Sequence, residues 1–545
     1  MAVNPIKTPF TNMSFTPDVP SSSLSANEYN TGYNVETDVR SVKSMLGDEY
    51  ILSQIPGHTI FVTSGFDLNN VFWFVVATRE GNWYAINDAG YTDISTGAYG
   101  YVGTGYSSDT VITSSWNGTV VFINDQINPP MYFEPGAWQS LRLYDNAPDN
   151  YVWNYSVGYD SSGNVVPLYS SLTSGFVRVY NSPNLGSLLV AGNLTGNIAA
   201  NVVPGGGTIQ TLPTTVRWSQ NFGLNAGPTT WAPTLVNTAN EVEMPLQGPV
   251  VDGFPLNGNF YFCSYWDTCL MSPISYQSST APVFGIKLVN QGRGMINENC
   301  WVNVDNTVFG LDARDVWKFD GGTFTPIGNQ RVKNYLFSNL NPLYTNQIFL
   351  EHNSSKYQIE IYYPDLTSTG YNNKMISYRY DLDVWNTPRD VTNATMSTES
   401  PVWTGNVANL ASRTIIYSNG SGNVALVQKD QGTSFLGNAT IPTLFQRNNI
   451  SFGQPYSASV QVHRVYPEIY GTGNITITVG GANSVDSSPV YKANVTMPIN
   501  TENPWVQIDQ NEARVTTIQV TGNSAVDSWQ MSAANWQVTV VQDTR

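Results

Sequence analysis

Short apolar segments separated by turn-forming residues run through most of this chain. Segments 59–63, 71–78, 83–86 and 119–123 are four to eight residues long and rich in β-branched or aromatic side chains. Gly, Asn and Asp stand at their ends, which is typical of strands joined by tight turns. The same pattern returns at residues 300–319. It predicts a series of short antiparallel strands rather than helices.

The grouping of these strands predicts a propeller. Sets of three or four short strands, each with an aromatic residue near a Gly or Asp turn, are typical of propeller blades. We therefore expect a β-propeller-like domain over residues 49–434. Within it, residues 137–260 are rich in Pro, Asn and Gly and predict long loops or an inserted subdomain. One helix is predicted at residues 329–339.

The two ends of the chain differ from this middle part. Residues 1–48 show little periodicity and many turn formers, which predicts an N-terminal arm that packs on another surface or stays mobile until assembly. Removal of this arm is expected to impair assembly more than folding. Residues 435–545 contain six candidate strands with Gly, Asn and Asp turns, which predict a C-terminal β-sandwich. The predicted fold class is all-β.

Composition narrows the classes of function. The 545 residues include 24 Lys and Arg against 40 Asp and Glu, a formal net charge of −16, and only 12% of residues are charged. A hydrophobic fraction of 41% argues against a disordered chain. The shortage of basic residues argues against a protein that grips nucleic acid by neutralising phosphates. A long helical bundle is also disfavoured, because the charged residues that fill exposed helix faces are scarce.

Cysteine content and hydropathy predict the compartment. Cys263, Cys269 and Cys300 are too few for a disulfide framework, and their spacing matches no zinc signature, so we interpret them as small core residues. The longest apolar run, residues 71–77, is far shorter than the roughly 20 residues of a membrane helix. No apolar leader is visible at the start. We expect a chain that stays in the cytoplasm until it is assembled, without membrane insertion.

The histidines offer no catalytic or metal-binding pattern. His58, His352 and His463 are isolated from one another and from the cysteines, so structural or surface roles are favoured. The sequence has no nucleophile elbow, P-loop or zinc-protease motif. We therefore expect no catalytic residues, no cofactor and no metal.

Two pairs of carboxylates are the best candidates for an enzyme. Asp312 with Asp315, or Asp381 with Asp383, could supply the acid and base of a glycosidase whose aromatic residues form sugar platforms. Both pairs fall in predicted turns, where Asp is favoured because its side chain bonds the local backbone. The turn interpretation is preferred.

Several segments, in order, carry a resemblance to a known family. Residues 216–219 read Val-Arg-Trp-Ser, residues 315–321 read Asp-Val-Trp-Lys-Phe-Asp-Gly, and residues 462–467 read Val-His-Arg-Val-Tyr-Pro. With the segments 27–47 and 116–133, their collinear order is similar to the tail nozzle of short-tailed bacteriophages, also called the tail hub or tail tubular protein B. The resemblance extends over nearly the whole chain.

The resemblance implies a non-enzymatic virion protein of the tail, made in the host cytoplasm. Six copies would form a ring below the head–tail adaptor, DNA would leave the capsid through the central channel without specific binding, and fibres, tailspikes or a plug would attach. The acidic composition suits a conduit, because a negative wall repels phosphates within a Debye length of about 8–10 Å. Two alternatives stay open: a receptor- or glycan-binding propeller such as a fibre-tip lectin, and a polysaccharide-degrading propeller.

Overall fold

Strands form nearly the whole framework of the protein. The computed structural model describes residues 5–542, with these exceptions: 53, 96–100, 102, 145–152, 155, 235, 275–282, 421–425, 433–440, 453–457, 502–503 and 523–527. With 57% of residues in strands and 4% in helices, the predicted all-β class is confirmed. The strands build a β-propeller-like domain and a β-sandwich.

Five blades of the propeller are separate four-stranded antiparallel sheets whose strand order follows the chain. The local sequence explains much of this order, since many consecutive strands are joined by short turns, as between Asn117 and Val120, Leu256 and Asn259, and Val304 and Thr307. Their strands are, for blade 1, Thr59–Phe66, Phe72–Thr78, Trp83–Asn87 and Gly90–Asp93; for blade 2, Thr113–Asn117, Val120–Asn124, Met131–Phe133 and Arg142–Leu143; for blade 3, Tyr169–Ser182, Gly186–Ile198, Ile209–Trp218 and Asn240–Glu243; for blade 4, Asp252–Leu256, Asn259–Cys263, Asp267–Pro273 and Phe284–Gln291; for blade 5, Trp301–Val304, Thr307–Leu311, Val316–Phe319 and Phe324–Pro326.

Blades 6 and 7 share one sheet, because the strand Arg389–Thr404 belongs to both. Its first residues pair with blade 6 and its later residues pair with blade 7. The other strands are, for blade 6, Phe349–Asn353, Gln358–Tyr363, Asn372–Arg379 and Val384–Trp385; for blade 7, Val407–Asn419, Leu426–Gly432 and Gly47–Ile51. The last of these precedes blade 1 in the chain, so blade 7 joins the two ends of the propeller segment.

The blades close into a ring. The first strand of each blade lies innermost and contacts the first strand of the next blade from blade 2 through to blade 7, and blade 7 contacts blade 1. Between blades 1 and 2, Trp116 Nε1 donates to Thr63 Oγ1 at 2.9 Å. Between blades 1 and 7, Ser64 Oγ and Thr398 Oγ1 are 2.8 Å apart. The described residues therefore form a closed propeller of seven blades.

A buried guanidinium joins the strands that close blade 7. Arg389 contacts the carboxylates of Asp48 and Asp430, and all three side chains are buried. Asp48 lies on the outer strand, which arrives from the sandwich, and Asp430 lies on its partner strand. Lys356 adds contacts to Asp430 at 2.9 Å and to Glu36 of the sandwich at 3.0 Å. We name these five residues the junction network.

The electrostatics of the junction network favour the charged forms of Asp430 and Glu36, whereas burial raises the pKa of Asp48 despite its contact with Arg389. Burial raises the pKa of Asp430, but the neighbouring cations Lys356, Lys429 and Arg389 outweigh burial and hold that pKa well below its usual range. Burial and opposing cations act likewise on Glu36, whose pKa falls to about 2. The network thus binds the sandwich to blade 7 through paired charges, which the low dielectric of the interior makes necessary.

Helices are few and short among the described residues. The α-helix Lys333–Asn339 begins four residues later than predicted, after a turn at 329–332.

The sandwich consists of two sheets that draw strands from both ends of the chain. The first sheet contains Val506–Ala513, Ala458–Thr472, Ser528–Gln542, Ser41–Ser44, Val35–Asp38 and Ile6–Pro9; the second contains Thr31–Tyr33, Thr443–Ile450, Val515–Gly522, Asn474–Ala482, Val490–Tyr491 and Val495–Pro498.

Residues 1–48 are therefore not a separate arm. Their strands pair directly with the C-terminal strands Ser528–Gln542 and Thr443–Ile450, and Phe10, Met13 and Tyr29 are fully buried. The sequence pattern missed them because these strands are only two to four residues long, and because Val35–Asp38 and Ser41–Ser44 are largely buried on both faces, so apolar and polar residues do not alternate there. Residues 435–545 alone therefore do not form the complete sandwich, because both of its sheets include strands from the N-terminal segment.

The interval 137–260 does not form an insertion either, since it contains blade 3 and the start of blade 4. The expected loops are in part long strands of 10–14 residues. Register shifts at Tyr169 and Gly192 interrupt their alternation. This explains why the pattern looked irregular.

Deletion of residues 1–45 tests the corrected domain boundary. We expect the truncated chain to lose most of its thermal stability, or to be insoluble, because both sandwich sheets lose paired strands and several buried aromatic side chains. Thermal unfolding followed by circular dichroism measures this. The control Ser23→Ala, at an exposed position of the same segment, should leave the transition unchanged. An unchanged transition after the longer deletion would restore the arm interpretation.

Candidate functional site at the propeller axis

The side chain of Arg178 occupies the middle of the ring. It extends from the inner strand of blade 3, and its Nε donates to Asp252 Oδ1 of blade 4 at 2.9 Å. Its Nη1 donates to the carbonyl of Ser114 in blade 2 at 2.8 Å, and its Nη2 donates to Asn299 Oδ1, next to blade 5, at 2.8 Å. One side chain can reach four of seven blades only if it lies close to the axis.

The partners of Arg178 are themselves fully bonded. Asp252 Oδ2 accepts from the backbone N–H of Asn299 at 3.1 Å and from Trp301 Nε1 at 3.0 Å. Asn299 Nδ2 donates to the carbonyl of Ile112 at 2.9 Å. The guanidinium also lies 5.3 Å from the ring of Trp301, within cation–π range. These bonds engage the guanidinium, the carboxylate and the amide of Asn299 with one another and with the backbone, so they form a structural network.

The mouth of the axis offers little room. A cavity of about 40 Å³ opens where the inner strands begin, and Ile60, Ile112, Asn299, Phe349 and Met396 are among its lining residues. Such a volume suits about one water molecule, whereas ligand sites measure roughly 300–1,000 Å³. A substrate or a nucleic acid strand therefore does not fit along the axis of a single propeller.

The opposite side of the ring carries carboxyl groups without cations. Glu351 of blade 6 accepts from Ser397 Oγ of blade 7 at 3.1 Å, and Glu399 of blade 7 accepts from the backbone N–H of Ser354 at 3.1 Å. Burial, with the nearby charges of Glu360 and Glu399, raises the pKa of Glu351 to about 8. The pairs link blades 6 and 7 at the axis.

A second axial carboxyl titrates in the same range. Glu298 Oε1 accepts from Gln126 Nε2 at 3.2 Å, and Gln126 also donates to the carbonyl of Gly175 at 3.0 Å. Burial, together with the charge of Asp252, raises the pKa of Glu298 to about 7. These groups can bind and release protons near neutral pH, and their side-chain hydrogen-bond partners are the Gln126 amide and the Ser397 hydroxyl.

The carboxylate pairs considered for acid–base catalysis lie elsewhere, in turns and ion pairs. Asp312 Oδ1 accepts from the backbone N–H groups of Arg314 and Asp315, and Asp315 Oδ1 accepts from that of Val316. Their geometry is that of the turn interpretation. Asp312 Oδ2 is further engaged by a guanidinium at 3.0 Å.

The second pair is divided between two arginines. Asp381 Oδ2 lies 2.8 Å from Arg379 Nη2, and Asp383 Oδ1 lies 2.9 Å from Arg331 Nη1. Asp383 also accepts from Tyr378 Oη and has a left-handed backbone, as turn residues often do. The structure does not place either carboxylate in the axial cavity.

The histidines and cysteines do not converge. His58 contacts Glu80, His352 contacts Tyr380 and His463 contacts Thr539. All three cysteines are buried and free, and burial raises the pKa of Cys263 to about 12 and that of Cys269 to about 11. Across the described residues, His, Cys, Asp and Glu form no group of three or more suited to a metal. Among the residues that the structure describes, no helix is long and apolar enough to span a membrane.

The sequence interpretation missed the axial residues, although one signal pointed to them. Arg178 is the only charged residue between Ser161 and Val216. A single cation inside an apolar strand of a protein must find a buried partner. Its partner Asp252 is 74 positions away, so the pair itself is invisible to a local pattern.

Comparisons with known proteins give no family. No family description matches the chain, and no curated protein matches it in sequence. Among solved structures, it is similar to the computationally designed Ika8 protein at 10% identity and a TM-score of 0.36, with 70% of this chain and 100% of that one covered.

Two further solved structures are similar at the same level. BBS1N, in complex with ARL6DN, has 11% identity and a TM-score of 0.38, with 73% of this chain and 100% of that one covered. A chain of the mitotic checkpoint complex has 10% identity and a TM-score of 0.35, with 71% and 92% covered. Likeness at this level carries no conclusion about function.

The substitution Arg178→Met tests the axial network. We expect it to lower the free energy of unfolding by about 3–5 kcal/mol, because it leaves Asp252 charged and buried without its cation. Arg331→Met, which breaks the more exposed pair with Asp383, should change it by no more than about 1 kcal/mol. Denaturant unfolding measures both, and adding Asp252→Asn to Arg178→Met should recover part of the loss. Equal effects of the two single substitutions would contradict the assignment.

The axial carboxyls predict a pH dependence. In the folded chain, the pKa of Glu298 is about 7 and that of Glu351 is about 8, both above the ordinary glutamate value of 4.5. Their contribution to stability is therefore fully present below that pH and is lost as the pH rises through about 7–8. We expect the melting temperature to fall less between pH 5.5 and 8.5 in the Glu298→Gln, Glu351→Gln double variant than in the wild type. The exposed control Glu243→Gln should follow the wild type, and a double variant that does so too would refute the prediction.

Proposed function

We propose that this chain is a structural protein of a short bacteriophage tail, the nozzle below the head–tail adaptor, and that it has no enzymatic role. The observation that carries the proposal is the collinear order of the segments that resemble that family. These segments lie on framework strands of both domains: residues 315–319 in blade 5, residues 216–218 in blade 3, and residues 462–472 in the sandwich. The resemblance therefore concerns the whole chain rather than one local motif.

The distribution of charge supports a conduit rather than a DNA-binding protein. Many of the few basic groups are consumed inside the fold by ion pairs, as with Arg178, Lys356, Arg389 and Lys429. The net charge of −16 must then be carried mostly by carboxylates outside such pairs. A surface of this kind repels phosphates, so DNA can pass it without being held.

The occupied axis supports a channel between copies rather than within one propeller. Arg178 and its partners on blades 2 and 4 and at Asn299 lie close to the axis, where they take the space that a DNA duplex would need. The channel of the proposed nozzle must therefore lie between copies. Six copies around a common axis is the arrangement that the family resemblance implies, and cyclic closure is the usual symmetry of such assemblies.

A second candidate is a glycan-binding propeller, favoured by one groove. A cavity of about 330 Å³ lies beside blade 5, lined by Asp305, Lys318, Asp320 and Tyr380 among others. An aromatic ring with neighbouring carboxylates and hydroxyls can bind a sugar. Tyr380 already packs against His352, Tyr357 and Phe309, however, so much of its ring is used within the fold.

The deciding experiment images the purified chain together with the head–tail adaptor encoded by the same genome. We expect six-fold rings with an open centre by negative-stain microscopy, and a complex of matching mass by native mass spectrometry. The purified chain should not bind immobilised host-surface sugars. The nozzle proposal would be wrong if the chain stayed monomeric with the adaptor and bound such sugars. Loss of that binding in Tyr380→Ala would then support the lectin.

A further inference from the structure

Blade 3 extends beyond the ring. Its first three strands continue past the end of blade 2. The backbone N–H of Val177 donates to Thr113 Oγ1, at the start of blade 2, at 3.2 Å. Strand pairing within blade 3 continues beyond this point to Tyr169 and Ile198. A two-stranded hairpin, Val157–Tyr159 with Val165–Pro167, packs on this extension. We call it the blade-3 hairpin.

The two faces of the blade-3 hairpin differ in burial. Gly158 and Val166 are opposite each other and lie on the side that faces the extension, where Gly158 meets Val202 and Leu168. The other face presents four residues in two cross-strand pairs. These exposed residues are Val157 with Pro167, and Tyr159 with Val165.

The apolar surface continues beside the hairpin. The backbone N–H of Val203 donates to the carbonyl of Tyr159 at 2.9 Å, which adds a further exposed apolar side chain next to the face. Val157, Tyr159, Val165 and Val203 are each 51–59% exposed. A two-stranded hairpin is only marginally stable alone, and an apolar face of this kind is uncommon on a monomer unless it serves an interaction.

The same region is nearly free of charge. Between Ser161 and Val216 the only charged residue is Arg178, which is buried at the axis. Asp160 stands at the tip of the hairpin, where its carboxylate accepts hydrogen bonds from the backbone of Ser162 and from Asn164. Glu241 also lies beside the hairpin, where it accepts from Ser156 Oγ at 3.3 Å, but the four residues of the exposed face carry no charge in a chain of net charge −16.

We propose that the exposed face of the blade-3 hairpin docks against a second copy of this chain. Two copies repel each other through their carboxylates, so a contact between them is most favourable where charge is lacking and apolar area can be buried. A basic partner would instead bind the acidic parts of the surface, where opposite charges attract. The inference rests on the proposed function in that it names a contact by which copies in the ring meet.

The test compares self-association of the full chain alone with that of single substitutions. Sedimentation velocity over a concentration series should show association of the wild type. Val165→Lys or Val157→Lys should weaken association at least about tenfold, because a lysine places a charge in the centre of the contact. Val490→Lys alters a valine on a short sandwich strand that is more exposed, at 71%, and should leave association unchanged.

Several outcomes would overturn the inference. One is a wild type that stays monomeric at about 100 µM, because its self-affinity would then be weaker than a stable interface gives. Another is a Val165→Lys chain that associates like the wild type. A third is a Val490→Lys chain that loses association as much as the Val165→Lys chain does. A monomer that binds neutral phosphatidylcholine vesicles through Val165 would assign the face to lipid instead. In each case six-fold rings with the adaptor could still form, so the nozzle proposal would be judged separately.

Discussion

A pair of buried carboxylates that share one guanidinium constrains the whole molecule. Asp48 and Asp430 lie on adjacent strands of blade 7, where Arg389 supplies counter-charge to both and Lys356 and Lys429 add to it at Asp430. Asp48 follows directly after the sandwich, so the same contact closes the ring and fixes the sandwich beside it. Lys356 and Glu36 extend the ionic contact across the domain boundary. Ring closure and domain arrangement thus depend on one cluster of opposite charges.

The sequence predicts those parts of the fold that local pattern determines. Segments 59–63 and 71–78 become the first two strands of blade 1, because a strand with a repeating apolar pattern and a tight turn pairs with its neighbour. The outer strand of blade 7, Gly47–Ile51, escapes prediction because its partner is almost 380 positions away. The N-terminal strands of the sandwich escape for the same reason.

The axial site could be predicted even less. The carboxylates that stand out in the sequence, such as Asp312 and Asp383, stand out because they are in turns, where their side chains bond locally. Arg178, Asp252 and Glu351 are inconspicuous, because each sits in an ordinary strand and acquires its role only when seven blades meet. Proximity around a ring is a property of topology, and the sequence spacing of these residues does not encode it.

The path of the chain through the sandwich has a consequence for biosynthesis. Val35–Asp38 and Ser41–Ser44 leave the ribosome well before their neighbour Ser528–Gln542, which lies on the far side of the propeller in the sequence. At about 5–20 residues per second, the early strands wait on the order of 20–100 s for that neighbour. During this interval their edges and apolar side chains lack their final cover, so the nascent chain is vulnerable to misassociation until Ser528–Gln542 has been synthesised. The first sheet of the sandwich is thereby completed only after all seven blades of the propeller have been synthesised.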